Sequence, residues 1–208
     1  MERGGGGAHW LVRGDRVGLA APEREEFVER WIDYNDPRLS MLTAFPTSRS
    51  AVGAPLKPPV AREHREALWN AVCARLILAF DLRAVEDGRF LGEAGLSGID
   101  WPRASADIAV CIFDPVERAR GYGTEAVLLL LAYGFDALGL ARMVIRYLSV
   151  NAAVVRATER AGAAVGARLV GIEREAEWAF GGRRDRMVME CVREDFPPHP
   201  ATAHLRSG

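Results

Sequence analysis

Three cysteines are too few, and too scattered, to staple this chain together. Cys73, Cys111 and Cys191 share no metal-ligand spacing and leave one thiol over. That excludes a disulfide framework and fits a reducing, cytoplasmic setting. Positive charge is not in surplus either: 27 Lys and Arg face 28 Asp and Glu, for a formal net charge of −1. A nucleic-acid partner, which needs a basic footprint, is excluded on that ground. Long apolar runs are missing too. The greasiest stretch, Leu128 to Leu131, is far short of the ~20 residues that a membrane-spanning helix needs. The opening Met1-Glu-Arg-Gly-Gly-Gly-Gly is polar and reads as a disordered tail, not as a signal peptide.

What remains is 208 residues, 49% of them apolar, enough for one domain of ordinary size. The expected organisation is a tail over 1–10, a single domain over 11–195 and a C-terminal tail over 196–208. Val12 to Ala21 alternates weakly and predicts a first strand. Pro22 then opens a helix, with Glu23, Glu25 and Glu26 near the positive end of its dipole and Phe27, Val28, Trp31 and Ile32 on one face. Asn35-Asp36-Pro37 ends it. Residues 38–60 hold four prolines and little periodicity, the mark of an irregular and functional segment. Arg62 to Arg75 predicts a second amphipathic helix with Ala67, Leu68, Ala71 and Val72 inward. Strand patterns follow at 76–85, 90–99 and 107–113, then a helix at 124–138, a strand at 143–150 and a short helix at 152–161. Two antiparallel strands, 167–180 and 186–193, meet at Gly181-Gly182. Strand 107–113, helix 124–138 and strand 143–150 form one βαβ unit, so the central pair is parallel in a mixed sheet.

The most informative stretch is DIAVCIFDPVERARGYGTEA, residues 107–126. Its strand breaks at Asp114-Pro115, and an arginine-rich turn runs into a helix at Thr124. Gly121 and Gly123 free the backbone where it bends, so that unpaired N–H groups and the helix dipole converge on one spot. Such a spot binds phosphate, and Arg118 and Arg120 suit it to a diphosphate. A P-loop is excluded, because no Lys-Ser or Lys-Thr pair follows the second glycine. Gly121-Tyr-Gly123-Thr-Glu-Ala126 satisfies the dinucleotide fingerprint. That motif, however, follows its strand directly and has an acid about 20 residues on; here a Pro-containing loop intervenes and the region near Arg146 is basic.

The spacing Pro115-x-x-Arg118-x-x-Gly121-x-Gly123 resembles the acetyl-CoA loop of the GNAT superfamily of N-acetyltransferases. Residues 90–100, 107–142, 151–162 and 174–189 resemble its RimJ/RimL-like branch. The resemblance implies an α/β (α+β) fold: a mixed, twisted sheet of six or seven strands, about four helices and splayed central parallel strands. It implies an acetyl-CoA-dependent enzyme that acetylates a primary amine, on a small molecule or a protein N-terminus, by direct transfer, in a chain that can form a homodimer. It further implies that the backbone of Cys111, Ile112 and Phe113 holds the pantetheine, and that Arg118, Ala119, Arg120, Gly121, Tyr122, Gly123 and Thr124 take the pyrophosphate. Asn151 and Arg156 join the cofactor site by the same resemblance.

Transfer from a thioester to an ammonium needs a base for the amine and a proton for the departing thiolate. Asp107, four residues before Cys111, stands where similar acetyltransferases carry their acidic base; it reads equally as the anchor of a strand start. Asn151 reads as a catalytic or pantetheine-holding amide, and also as the cap of the following helix. Many relatives place a Tyr seven residues after this Asn as the acid. This chain has Thr158, and Ala163 stands for an aromatic. Those two departures motivate the alternative of a non-catalytic CoA-binding or interaction module. Cys111 as a nucleophile would need a histidine, yet His9, His64, His199 and His204 lie far off in sequence, so it reads as a buried structural thiol. Glu93, Asp100, Glu175, Glu177 and Asp185 are the acidic candidates for drawing in a cationic acceptor.

Overall fold

The computed structural model describes residues 9–36, 60–118, 120–150, 155, 159–160, 162, 165–179 and 181–205. Eight strands form one sheet: β1 (Trp10–Arg13), β2 (Val17–Ala20), β3 (Leu78–Ala84), β4 (Phe90–Asp100), β5 (Ser105–Ile112), β6 (Arg142–Leu148), β7 (Arg168–Ala179) and β8 (Gly182–Val192). Their spatial order is β1-β2-β3-β4-β5-β6-β8-β7. Each neighbouring pair is antiparallel except β5 with β6, the parallel pair of the βαβ unit. The described α-helices are α1 (Arg24–Glu29), α2 (Arg62–Cys73) and α3 (Tyr122–Asp136).

Eight strands replace the expected six or seven because residues 12–21 fold back on themselves. Gly14-Asp15-Arg16 is a turn, closed by Gly14 N–H donating to Val17 O at 3.0 Å, and β1 pairs with β2 across it. The first helix is short as well: after Glu29 the chain tightens into a 3₁₀ turn at Asp33–Asn35. Part of the expected helix 152–161 falls outside the described residues; Val155, Glu159, Arg160 and Gly162 are helical. Residues 37–59 also lie outside them.

The C-terminal segment is not a free tail. Phe196 packs against Phe135 of α3 with ring centroids 5.2 Å apart, and the Thr202 hydroxyl donates to Asp136 at 2.5 Å. Both Phe196 and Thr202 are buried. The chain therefore stays attached through a 3₁₀ turn at Pro200–Leu205.

The main core lies between α3 and one face of the sheet. Ala126, Leu129, Leu130 and Leu131 of α3 pack there with Leu19, Leu82, Leu96, Ile108 and Met143. α3 is apolar most of the way round because the sheet, the C-terminal segment and β1 all press on it. The opposite face is covered by α1 and α2, and its core is of another kind. Arg65, not the expected Ala67, is the buried residue of α2, and Ala67 is exposed.

Candidate active site

Side chains alternate along β5, and the two sets meet different surroundings. Ile108, Val110 and Ile112 join the α3 core, while Cys111 and Phe113 lie with Tyr34, Val60 and Trp31. Phe113 makes edge contacts with Tyr34 and Phe90, at centroid distances of 5.4 and 5.3 Å. Asp107 belongs to the Cys111 set by the same alternation.

Directly across from Cys111 on β4 stands Glu93, 5% exposed. Its carboxylate accepts from Arg30 (3.1 Å), from Arg65 (2.5 and 3.2 Å) and from the Tyr34 hydroxyl (2.6 Å). Arg30 also forks onto Asp81 at 2.7 and 3.0 Å, and Asp81 has no exposed surface. The guanidinium groups lie over aromatic faces, Arg30 over Phe90 at 4.0 Å and Arg65 over Phe27 at 3.7 Å. Burial and the Glu93 charge push the Tyr34 hydroxyl well above its ordinary value. The same two causes push up the Cys111 thiol, so it stays protonated and inert as a nucleophile. Reading the sequence missed Arg30, Arg65 and Asp81. The signal was present in the carboxylates of Asp81 and Glu93, each flanked by apolar residues within its strand, since buried charge demands a buried partner.

β5 and β6 are paired only from Ser105↔Arg142 to Ile108↔Ile145. Beyond that point β5 continues to Ile112 and β6 to Leu148, and the β6-facing edge of β5 has no strand partner among the described residues. A fork opens beside the backbone of Cys111, Ile112 and Phe113, and Asp107 stands at its crotch. The Asp107 carboxylate is bonded to Arg146 of β6 and its side chain is 42% exposed. Arg146 also reaches Glu173 at 3.5 Å, and Glu173 is held by Arg186 at 2.5 Å. A ladder of alternating charge thus runs across the fork from β5 to β8.

The loop closes the other end. Gly121 has φ +89°, a left-handed conformation that suits glycine. It leads into α3 with no side-chain cap, so the first N–H groups of the helix are left to an outside acceptor. A Cβ on Gly123 would meet open space. Arg120 is half exposed and rests on Glu117 at 3.3 Å. Arg118 is turned inward instead: its guanidinium donates to the carbonyls of Ile112 and Phe113, both at 2.9 Å, and fixes the junction of strand and loop. Ala119, Asn151 and Arg156 lie outside the described residues, as do Thr158 and Ala163. Among the described residues, no group of three or more His, Cys, Asp or Glu could hold a metal ion, and no helix is long and apolar enough to cross a membrane.

A parallel pair that forks beside an uncapped, glycine-entered helix leaves a strand edge and a set of helix N–H groups open to a ligand. The profile of the Acetyltransferase (GNAT) domain family matches residues 16–164, which span both. The chain belongs to the GNAT acetyltransferase family. It is an acyltransferase, and the acyl donor that GNAT acetyltransferases use is acetyl-CoA. The fold is shared with spermidine N-acetyltransferase from Vibrio cholerae in complex with CoA and spermine: 18% identity over 86% of this chain and 96% of that one, with a TM-score of 0.70. A dodecameric structure of the same Vibrio cholerae enzyme, in an intermediate state, matches with 18% identity, a TM-score of 0.67 and coverage of 86% and 94%. At that identity the likeness shows the fold. No curated protein matches the chain in sequence.

Proposed function

We propose that the chain, as a RimJ/RimL-like member, moves an acetyl group from acetyl-CoA directly onto a primary amine, on a small molecule or a protein N-terminus. The observation that carries this reading is the fork after Ile108↔Ile145, which leaves the β6-facing edge of β5 toward Cys111, Ile112 and Phe113 without a strand partner and open to a pantetheine arm, while Arg118 holds the Ile112 and Phe113 carbonyls and Phe113 N–H stays bonded to Leu91. When bound, acetyl-CoA supplies the electrophilic thioester carbon. The backbone groups of that strand orient the thioester, and the N–H groups from Gly121 to Thr124 take the diphosphate, with Arg120 free to swing from Glu117 onto it. Arg118 acts from behind by holding the strand end straight. That the Vibrio cholerae neighbour binds CoA and an amine, spermine, supports the donor and the class of acceptor. Asn151 and Arg156 complete the proposed cofactor site.

Two roles compete for Asp107. Its place at the fork, on the Cys111 face and part-exposed, supports a base that takes the ammonium proton through a water. Its bond to Arg146 supports a strut that keeps β5 and β6 at their crossing point. Asp107→Asn separates them once an amine panel has yielded an acceptor. A base predicts turnover lower by ~10²–10⁴ with CoA affinity kept, and partial recovery at high pH, where the amine arrives neutral. A strut predicts that CoA affinity and thermal stability fall together. Binding of CoA without turnover on any amine would leave a CoA-binding module.

The edge strand β7 exposes Leu169, Val170 and Ile172, and this supports a homodimer formed at that edge. Ile172→Glu should then give a monomer by light scattering. A cytoplasmic location belongs to the same reading, supported by the free thiols of Cys73, Cys111 and Cys191.

A further inference from the structure

The turn between β1 and β2 lies more than 100 residues from the diphosphate loop in sequence and touches it in space. Glu125, in the first turn of α3, accepts from the backbone N–H groups of Asp15 (2.6 Å) and Arg16 (3.0 Å). Only a glycine fits beneath that carboxylate: a Cβ on Gly14 would stand 2.2 Å from Glu125 Oε1 and 2.8 Å from Val17 O. The Arg16 side chain reaches forward from the turn. Its guanidinium donates to the Arg120 carbonyl, lies 5.1 Å from the centre of the Tyr122 ring, and sits 3.0 Å from where a Cβ on Gly121 would be. The Arg16 carbonyl in turn accepts from Val85 N–H at 2.9 Å, which ties the turn to the sheet. A cleft of about 210 Å³ lined by Asp15, Arg16, Ala84, Val85, Glu86 and Tyr122 opens beside these contacts.

A loop with two glycines within three residues samples many backbone states, and ordering it on binding costs affinity. We infer that Arg16 is a positioning residue for the cofactor: with Glu125 and Gly14 it holds Gly121 in the left-handed state, so that the N–H groups of the loop point at the diphosphate before it arrives. The inference rests on the reading of Gly121–Thr124 as the diphosphate cradle. Arg16 suits the task because the neighbouring cations are engaged elsewhere. Arg118 is bonded to Ile112 and Phe113, Arg120 rests on Glu117, and Arg89 is shared among Asp87, Glu117 and the Tyr122 hydroxyl, away from the Gly121 backbone. It is also exposed, so its removal leaves no buried charge stranded.

The test is titration calorimetry of the full chain with CoA, beside pantetheine, which has no diphosphate, followed by NMR. Arg16→Ala should weaken CoA about fivefold, the scale of one hydrogen bond lost from a pre-formed loop, and leave pantetheine unchanged. Arg16→Lys, which still reaches a carbonyl, should recover part of the loss. Gly14→Ala, which displaces Glu125 and presses on Val17 O and so loosens the turn that carries Arg16, should repeat the pattern. Amide exchange at Gly121–Thr124 should quicken in the ligand-free variants. Unchanged CoA affinity in Arg16→Ala, or an equal loss for pantetheine, would overturn the inference, the second by showing general loosening. Gly123→Asp keeps the two readings apart. If that carboxylate in the cradle does not weaken CoA, the cradle itself is misplaced. If it does and Arg16→Ala does not, the cradle stands and Arg16 has no part in it.

Discussion

On one face of β5, Ile108, Val110 and Ile112 meet the aliphatic side of α3; on the other, Cys111 lies across from Glu93, which gathers Arg30, Arg65 and Tyr34. Both faces are buried, but by different means. Aliphatic burial is non-directional and stabilises in proportion to area, roughly 1.5–3 kcal/mol for each fully covered side chain. The charged face gains little net stability, since desolvation of the ions offsets most of their attraction. What it gains is direction: a guanidinium fork can satisfy two carboxylates in few geometries. α1 and α2 are thereby fixed over the strand whose backbone is to hold the thioester. The apolar face keeps the strand in the sheet, and the charged face sets what lies above it.

The largest expected effect comes from breaking the charged face from one side. Glu93→Ala leaves Arg30 and Arg65 facing each other without their shared partner, and should cost about 3–5 kcal/mol in chemical denaturation. A cost below about 1 kcal/mol would mean that water already reaches the cluster, and the contrast between the faces would fail. Next in size is the edge between the faces. Gly123→Asp places a carboxylate where its Cβ meets open space and should weaken CoA at least tenfold, about 1.4 kcal/mol, with the thermal midpoint unmoved. Calorimetry and a melting curve check both halves. Ile108→Val, on the apolar face, should cost about 0.5–1.5 kcal/mol and spread no further than its own cavity. A larger loss, with Tyr34 fluorescence altered as well, would show that the faces are not independent.

The same contrast explains what the sequence disclosed. The βαβ unit and the glycine entry to α3 were legible because they depend on local signals: an apolar strand, an Asp-Pro break, two glycines and a long apolar helix; the fork was expected only from the resemblance to the GNAT superfamily. The β1–β2 hairpin was not, since Gly14-Asp15-Arg16 gives a three-residue turn inside a stretch whose alternation is weak on both sides. β8 starts at Gly182 and not at Arg186, because Arg183 and Arg184 are strand residues that carry no apolar signal. Arg65 escaped because arginine on an amphipathic helix ordinarily marks the wet side. Its partner Glu93 is 28 residues away, and only the fold brings the two together. Arg118 was placed at the loop by its spacing, but spacing does not say which way a guanidinium turns.

The cysteines give the most selective test, with no effect on stability at all at neutral pH. Cys111 is buried on the charged face and Cys191 in the α3 core, whereas Cys73 is exposed. Burial pushes up both buried thiols, and each is raised further by a carboxylate: Cys111 by Glu93, and Cys191, to about 11, by Asp195. Iodoacetamide at neutral pH should therefore label Cys73 alone. The sign of the pH effect follows from protonation. Below the ordinary thiol value of 9.0, folded and unfolded chains both hold these protons and stability is flat. Above it the unfolded chain releases them while the folded chain keeps them, so stability falls as pH rises, at about 1.4 kcal/mol per pH unit for each such thiol. Cys191→Ala and Cys111→Ala should each flatten the alkaline slope by one thiol. The contribution of Cys191 ends near pH 11, where its folded form also ionises, while that of Cys111 persists beyond it. Equal behaviour of the two would show that burial, the larger cause at both thiols, is no greater at Cys111 than at Cys191, and the distinction between their surroundings would be lost.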